Sequence, residues 1–290
     1  MTHKVFFNND YVACNYSFDT TRKSEEIAKS LKNVSSVSIE DPSAFTKTTE
    51  NVIQQIHSPE YVHAVKTGKP LHLAESQGFQ WDPDIYTMAV AHNSGVVAGV
   101  DLVLHSTERF VGTLSSGLHH ASREAGEGFC TFNGLSTASQ HALNCGAERV
   151  LILDFDDHCG GGTRSTTDAT KVIQVDVSTN YYDSYSPVNE FDYFSCSKVG
   201  AYLKEITLAL QHAATLGGFD LVIYNAGMDP ANSGVDYPTL LAREAFVCEW
   251  ALTQNAPLVY TMAGGYLGAE LDMDGLVSLH RLTIDTFASA

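Results

Sequence analysis

Four apolar runs rich in β-branched residues constrain this chain more than any other feature. They are "RVLILDF" (149–155), "KVIQVDV" (171–177), "FDLVIYNAG" (219–227) and "APLVYTMAGG" (256–265). Three of them run apolar without alternation, and the fourth, "KVIQVDV", is broken only by Gln174 and Asp176, so the strands are expected to be covered on both faces. Helical patterns separate them, around 200–216, 239–254 and 267–287. Strand–helix alternation of this kind predicts a mostly parallel sheet with helices on both sides. The first half adds strands at "KVFFN" (4–8) and "VSSVSIE" (34–40) and a polar-faced helix over 20–33. A second helix spans 58–68, with Ser58 as N-cap, Pro59 in its first turn and Gly68 as its stop. A third, over 84–105, is apolar nearly all round and so belongs in the core. No repeat, low-complexity tract or Pro/Ser-rich linker interrupts the chain. The expected fold class is α/β: a single domain over 1–290 with a mostly parallel central β-sheet flanked by helices on both faces.

Composition excludes some partners. Lys and Arg number 17 against 34 Asp and Glu, a formal net charge of −17. Such a surface repels nucleic-acid phosphates and anionic membranes, and leaves open cationic small molecules or lysine-bearing peptides. The six cysteines, at 14, 130, 145, 159, 196 and 248, show no CxxC spacing. Scattered thiols suit a reducing compartment rather than a disulfide framework or a zinc ribbon. The first residues lack a basic segment followed by a long apolar one, and no run reaches 18 apolar residues. The expectation is a cytoplasmic protein with no membrane or nucleic-acid partner.

In parallel sheets the ligand site lies beyond the carboxyl ends of the strands, and there this chain is densely functional. "LDFDDHCGGGT" ends a buried strand in acids. Asp154, Asp156 and His158 share one side if the extended geometry continues. Buried carboxylates are costly without a positive partner, so a divalent metal is one reading; a helix N-cap beside surface acids is the other. Asp229, in "NAGMDP", is either a third ligand, leaving a position open for water and substrate, or the start of an Asp-Pro turn. The adjacent His119 and His120 suit a base and an acid beside a metal-bound water. Tyr266, after a strand and two glycines, can donate to a developing oxyanion or plug a turn.

Taken in order, "GLHHA…GFC", "DFDDHCGGGT", "YNAGMD" and "AGGY" resemble the histone deacetylase family of the arginase/deacetylase superfamily. The resemblance covers Gly117 to Leu279, with weaker echoes in "HSPEYVHAV", and "YNAGMD" and "VIQVDV" look closest to the class IV branch. It implies that Asp156, His158 and Asp229 bind Zn²⁺, with Fe²⁺ as the other candidate. His119 and His120 become the histidine pair, His120 taking the proton of the attacking water. Tyr266 polarises the amide carbonyl. Asp154 orients His119 and helps bind a structural K⁺. Phe129 walls the channel for the acyl chain, and Gly128 lets that wall come close. The implied activity is a zinc-dependent deacylase acting on acyl-lysine or a related acylated amine.

The chain also departs from the family pattern. Gly161 stands where many members carry an Asp or Asn that supports the second histidine, so water or another residue is expected to orient His120. Cys159 replaces a common histidine and is expected to be buried and inert. Asp157 is an extra acid whose expected partner is a cation or a loop hydrogen bond. Asp236 is either an attraction for a cationic substrate or a solvated loop acid. The length of the chain suggests trimmed rim loops and a more open channel. Two other readings stand beside the deacylase. One is a catalytically weak relative that binds an acylated ligand or a partner protein, favoured by Gly161. The other is a two-manganese ureohydrolase, which needs further acids.

Overall fold

The structure, a computed structural model, describes residues 2–14, 16 and 22–290. Among them, eight strands form one sheet: β1 (His3–Phe6), β2 (Val37–Glu40), β3 (Phe110–Thr113), β4 (Val150–Asp154), β5 (Val172–Ser178), β6 (Tyr193–Cys196), β7 (Leu221–Asn225) and β8 (Leu258–Thr261). Their spatial order is β2-β1-β3-β8-β7-β4-β5-β6, and every pairing is parallel. The expected α/β architecture is the observed one.

Among the same residues, eleven α-helices cover the sheet: α1 (Lys23–Leu31), α2 (Thr46–Ile56), α3 (Pro59–Thr67), α4 (Leu71–Ala74), α5 (Ile85–His105), α6 (Gly134–Asn144), α7 (Gly161–Thr166), α8 (Tyr202–Leu216), α9 (Asp229–Asn232), α10 (Tyr237–Thr253) and α11 (Met273–Ala288). Helix α3 is built as its sequence specifies. The Ser58 side chain accepts from the Tyr61 N–H, Pro59 sits in the first turn, and Gly68 ends the helix at φ +74°. Helix α5 carries the core of one face. By length and composition it could cross a membrane, but 78% of that window is buried inside the molecule. Its Val96, Val100 and Val103 pack with Val111, Ile152, Ile223 and Val259 of the sheet. Each such fully buried side chain stabilises the fold by roughly 1.5–3 kcal/mol. Leu151, Leu153, Val175, Val222 and Leu258 point to the opposite face, against α8, α10 and α11.

Several boundaries differ from expectation for local reasons. The first expected helix starts, in the described chain, at Lys23; Thr20 and Thr21 lie outside the described residues. Strand β2 begins at Val37, because the Val37 N–H donates to the Val34 carbonyl in a turn. Helix α10 begins before Thr239, because Asp236 caps it with Pro238 in its first turn. Helix α11 begins only after Asp272, which caps the Gly275 N–H. The loop acid Asp236 is therefore a helix cap.

Two buried histidines tie distant segments together. His57 donates through Nδ1 to the Ser122 carbonyl (2.8 Å) and accepts the Asn133 N–H at Nε2 (3.0 Å). His3 Nε2 lies 2.6 Å from the Tyr260 hydroxyl. Burial pushes both imidazoles down, from 6.5 to about 4. The unfolded chain therefore binds protons that the fold excludes. The stability this represents is complete above pH 6.5 and is lost as pH falls toward 4, at up to about 1.4 kcal/mol per pH unit for each histidine. In urea unfolding across that window, His57→Gln is expected to flatten the pH slope by about that amount. An unchanged slope would show that His57 protonates equally in both states.

Candidate active site

The last residues of four adjacent strands, Thr113, Thr261, Asn225 and Asp154, lie in register with one another and with Asp176, two residues before the end of β5. They form a polar row at the carboxyl end of an otherwise apolar sheet, and all five are fully buried. Buried polar groups must find partners, and the partners of these five organise the loops beyond the strands. Thr261 Oγ1 donates to Asn225 Oδ1 (2.8 Å), and Asn225 Nδ2 donates to Asp154 Oδ1 (2.7 Å). The other Asp154 oxygen accepts His119 Nδ1 (2.8 Å). Strand β4 ends at Asp154, so Asp156 and His158 are not placed by strand alternation. The loop after the strand turns them inward instead.

That loop meets the one after β7. His158 Nδ1 lies 3.2 Å from Asp156 Oδ1 and 3.2 Å from Asp229 Oδ2. Ligand atoms of the three residues all fall within 4.8 Å of one another. Both carboxylates are buried. Burial pushes the His158 imidazole down, but the hydrogen bonds and charges of Asp156 and Asp229 outweigh it and lift His158 to about 10. Burial and the Asp156 charge push the Asp229 carboxyl up. A cluster that draws positive charge this strongly, with an O, N, O donor set, fits a divalent metal such as Zn²⁺ or Fe²⁺. The acids are neither a surface patch nor a simple turn, although Asp229 does open the short helix α9.

Both histidines rest on carboxylates. The His120 ring centroid lies 4.0 Å from that of His119, and its Nδ1 donates to Asp183 Oδ2 (2.8 Å). Asp183 comes from the loop after β5, and no motif points to it. A Cβ at Gly161 would collide with Asp183, by side chain and backbone. The carboxylate thus occupies the space that the missing side chain leaves free. Asp183 is fixed by the Gly162 N–H on Oδ2 (2.9 Å) and by the Gly161 N–H on its carbonyl (3.1 Å). The two imidazoles are driven apart in basicity. Burial lowers His119, but Asp154, with Asp156 and Asp176 behind it, raises it to about 10. Burial and the neighbouring His119 charge lower His120.

The histidine loop is held from below by Asn133, the N-cap of α6. Its Nδ2 donates to the carbonyls of His119 (3.0 Å) and Ala121 (2.9 Å). The two metal-site loops are held by Arg243 on α10, which is fully buried. Its Nη1 donates to the carbonyls of Phe155 (3.0 Å) and Gly227 (2.6 Å), while Nε and Nη2 grip Glu244 (2.8 and 2.6 Å). Lys23 Nζ donates to the Gly264 carbonyl (2.6 Å) under the turn that carries Tyr266, and burial lowers this ammonium to about 8. Asn232 fixes Tyr266 through its backbone N–H and carbonyl (2.9 and 2.8 Å). Burial, with Asp229 close by, pushes the Tyr266 phenol up, so it stays a proton donor. An inner cavity of about 90 Å³ lies against this cluster, between Met88, His92, Leu118 and Phe129.

Gly128, Phe129, His158, Tyr182 and Tyr266 line the mouth. Gly128, at φ +53°, brings the wall so close that a Cβ would lie 2.5 Å from His120 Cδ2. Phe129 is 41% exposed and faces Tyr266 across 6.4 Å between centroids. Tyr182 packs edge-on against His120 and His158 and donates to Glu127 (2.9 Å). It is a wall residue that no motif marks. Cys159 is buried, with its Sγ against Ser178 Oγ (3.1 Å) and the Asn180 carbonyl (3.2 Å). Asp157 accepts from Ser233 Oγ (2.6 Å) and Thr179 Oγ1, so loop hydrogen bonds account for it.

The family model of the histone deacetylase domain matches residues 18–190, which include the histidine pair, Asp154, Asp156 and His158. The chain belongs to the histone deacetylase family. Asp229 and Tyr266 lie beyond the matched residues, and the structure brings them to the same site. Histone deacetylase 2 of Arabidopsis thaliana is 29% identical over 190 residues, 58% of this chain and 48% of that protein. Human polyamine deacetylase HDAC10 is 32% identical over 126 residues, 40% of this chain and 19% of that protein. The chain thus spans about half or less of the length of these relatives. In fold it is similar to the crystal structure of acetylpolyamine aminohydrolase from Burkholderia pseudomallei, with TM-score 0.77, 16% identity and 99% of each chain covered.

Asp183 is directly testable without turnover. In ¹H–¹⁵N spectra of the histidine-labelled protein, Asp183→Ala is expected to remove the protected Nδ1 proton of His120 and leave that of His119. Persistence of both would mean that another group holds His120.

Proposed function

We propose that this protein is a metal-dependent amidohydrolase that removes an acyl group from a cationic amine. The reading rests above all on two carboxylate-backed imidazoles of opposite basicity facing the Asp156–His158–Asp229 cluster. Asp156, His158 and Asp229 would hold the metal, which when bound supplies a Lewis acid and makes water more acidic. His120, held neutral, accepts the proton of the attacking water at Nε2, since its Nδ1 is committed to Asp183. His119, held cationic by Asp154, stabilises negative charge developing opposite it. The Tyr266 hydroxyl donates to the carbonyl oxygen as that oxygen gains charge. The proton on His120 then passes to the departing amine, leaving a carboxylate and a free amine. Phe129, Tyr182 and Gly128 guide the substrate chain to this point.

The structural K⁺ expectation also has residues to support it. Asp176 Oδ1 is buried without a hydrogen-bond partner, beside Asp154, and burial with the Asp154 charge pushes Asp176 well up. The binding-only reading rests on Gly161, and Asp183 supplies the carboxylate that position lacks. Among the described residues, only three candidate ligands gather at this centre, which favours one catalytic metal over two.

The substrate class follows from charge and likeness. An acidic chain attracts cationic amines, and its relatives include a polyamine deacetylase. Acylated polyamines and acyl-lysine peptides are both expected to be hydrolysed. Amine release from each should be measured with the metal-loaded enzyme. His120→Ala is expected to lower kcat by about 10²–10⁴, Tyr266→Phe by about 10²–10³, and Asp183→Asn by about 10–100. Wild-type protein that binds the metal and hydrolyses neither substrate would overturn the proposal.

A further inference from the structure

Helices α5 and α6 pack side by side, and both end at the edge of the molecule where the strands begin. Helix α5 closes with Asp101 and His105, and α6 with His141 and Cys145. Each pair is spaced i, i+4, so its members stack one turn apart on one face. The two faces meet. Cys145 Sγ lies 3.7 Å from His141 Nε2, and His141 Nε2 lies 3.9 Å from Asp101 Oδ1. His105 Nδ1 stands 3.3 Å from that same oxygen.

We propose that Asp101, His141 and Cys145 form a second metal site, for a thiophilic divalent ion such as Zn²⁺, at the opposite end of the sheet from the active site. Their ligand atoms all lie within 4.8 Å of one another. Tetrahedral zinc, with bonds of about 2.0–2.3 Å, sets its ligands ~3.3–3.6 Å apart. Small side-chain movements therefore close the site. One oxygen, one nitrogen and one sulfur make a donor set that hard cations such as Mg²⁺ do not select. His141 is buried, which fixes one ligand, while Asp101 and Cys145 reach solvent, which leaves an entry path. The fourth position falls to water or to His105. His105 now bonds to the Asp101 carbonyl (3.0 Å) and would join by changing rotamer. Two helix C-termini point their carbonyl ends toward this corner, and such ends favour a cation. A bound ion would cross-link α5 to α6, which between them cover one face of the sheet.

This site offers a cysteine sulfur, which binds a metal as the thiolate after losing its proton, and the Asp156–His158–Asp229 cluster offers none, so Co²⁺ separates them. The full chain, kept reduced with a phosphine, should be titrated with Co²⁺ and followed by absorption and by metal content. A thiolate-to-Co²⁺ charge-transfer band is expected to grow with one equivalent and to fall when Zn²⁺ is added. Cys145→Ser, a change at a solvent-facing position, is expected to abolish the band and remove that equivalent, and Asp101→Asn to weaken its binding at least tenfold. The doubly substituted Asp156→Asn, Asp229→Asn protein is expected to keep the band and lose only the other equivalent. Absence of the band, or a band that survives Cys145→Ser, would overturn the second site. Loss of the other equivalent alone bears on the active site and leaves this one standing.

Discussion

The Asp154 carboxylate is the interaction on which the rest of the site depends. It stands at the end of a central strand, sealed from solvent, with one oxygen on Asn225 and the other on His119. Each bond recruits a different part of the chain. Asn225 extends the row to Thr261, which fixes the relative heights of β4, β7 and β8. His119 draws the loop after β3 down onto the sheet. A single buried acid thus sets both the register of the strand ends and the direction of the histidine pair. The cost of leaving such a group unpaired, several kcal/mol, makes the arrangement stiff.

The loops above this row are held by a second buried charge. Arg243 is out of water and satisfied by Glu244 and by the carbonyls of Phe155 and Gly227. Those carbonyls sit directly before Asp156 and two residues before Asp229. The guanidinium therefore fixes the spacing between the two loops, adding to the Phe155 N–H bond to the Asn225 carbonyl at their base (3.3 Å). A flexible ammonium in its place would lack the planar fork that reaches both loops at once.

The parts legible in the sequence are those governed by local chemistry. Unbroken apolar runs mark the central strands, Ser58, Pro59 and Gly68 mark α3, and the all-apolar stretch marks the buried α5. Strand β3 leaves little trace because Gly112 interrupts it, β6 because its residues are only half-buried and mix aromatic with polar, and helices α2 and α6 because polar residues interrupt their apolar stripes. Asp156, His158, Asp229 and Tyr266 are visible because each follows a recognisable strand end, and the histidine pair because its two members are adjacent in the chain. Asp183, Arg243, Lys23 and Tyr182 are not, since each reaches the site from an element whose own pattern says only loop or helix. Their roles arise from packing between segments far apart in the chain: Lys23 and Gly264 are separated by 241 residues.

In this loop conformation position 161 cannot bear a side chain, because a Cβ there would meet both the carboxylate and the backbone carbonyl of Asp183. A carboxylate can arise at either place, but the chain cannot drift from one arrangement to the other through an intermediate holding both. Because the backbone at 183 also blocks a Cβ at 161, the route passes through a rebuilt loop. Moving the acid also changes what it is attached to. Asp183 follows Tyr182, a residue of the channel mouth, so the segment that meets an arriving substrate is also the one that aims His120. Reshaping the entrance for a new ligand would disturb the proton acceptor at the same stroke, and selection on one must then act on both.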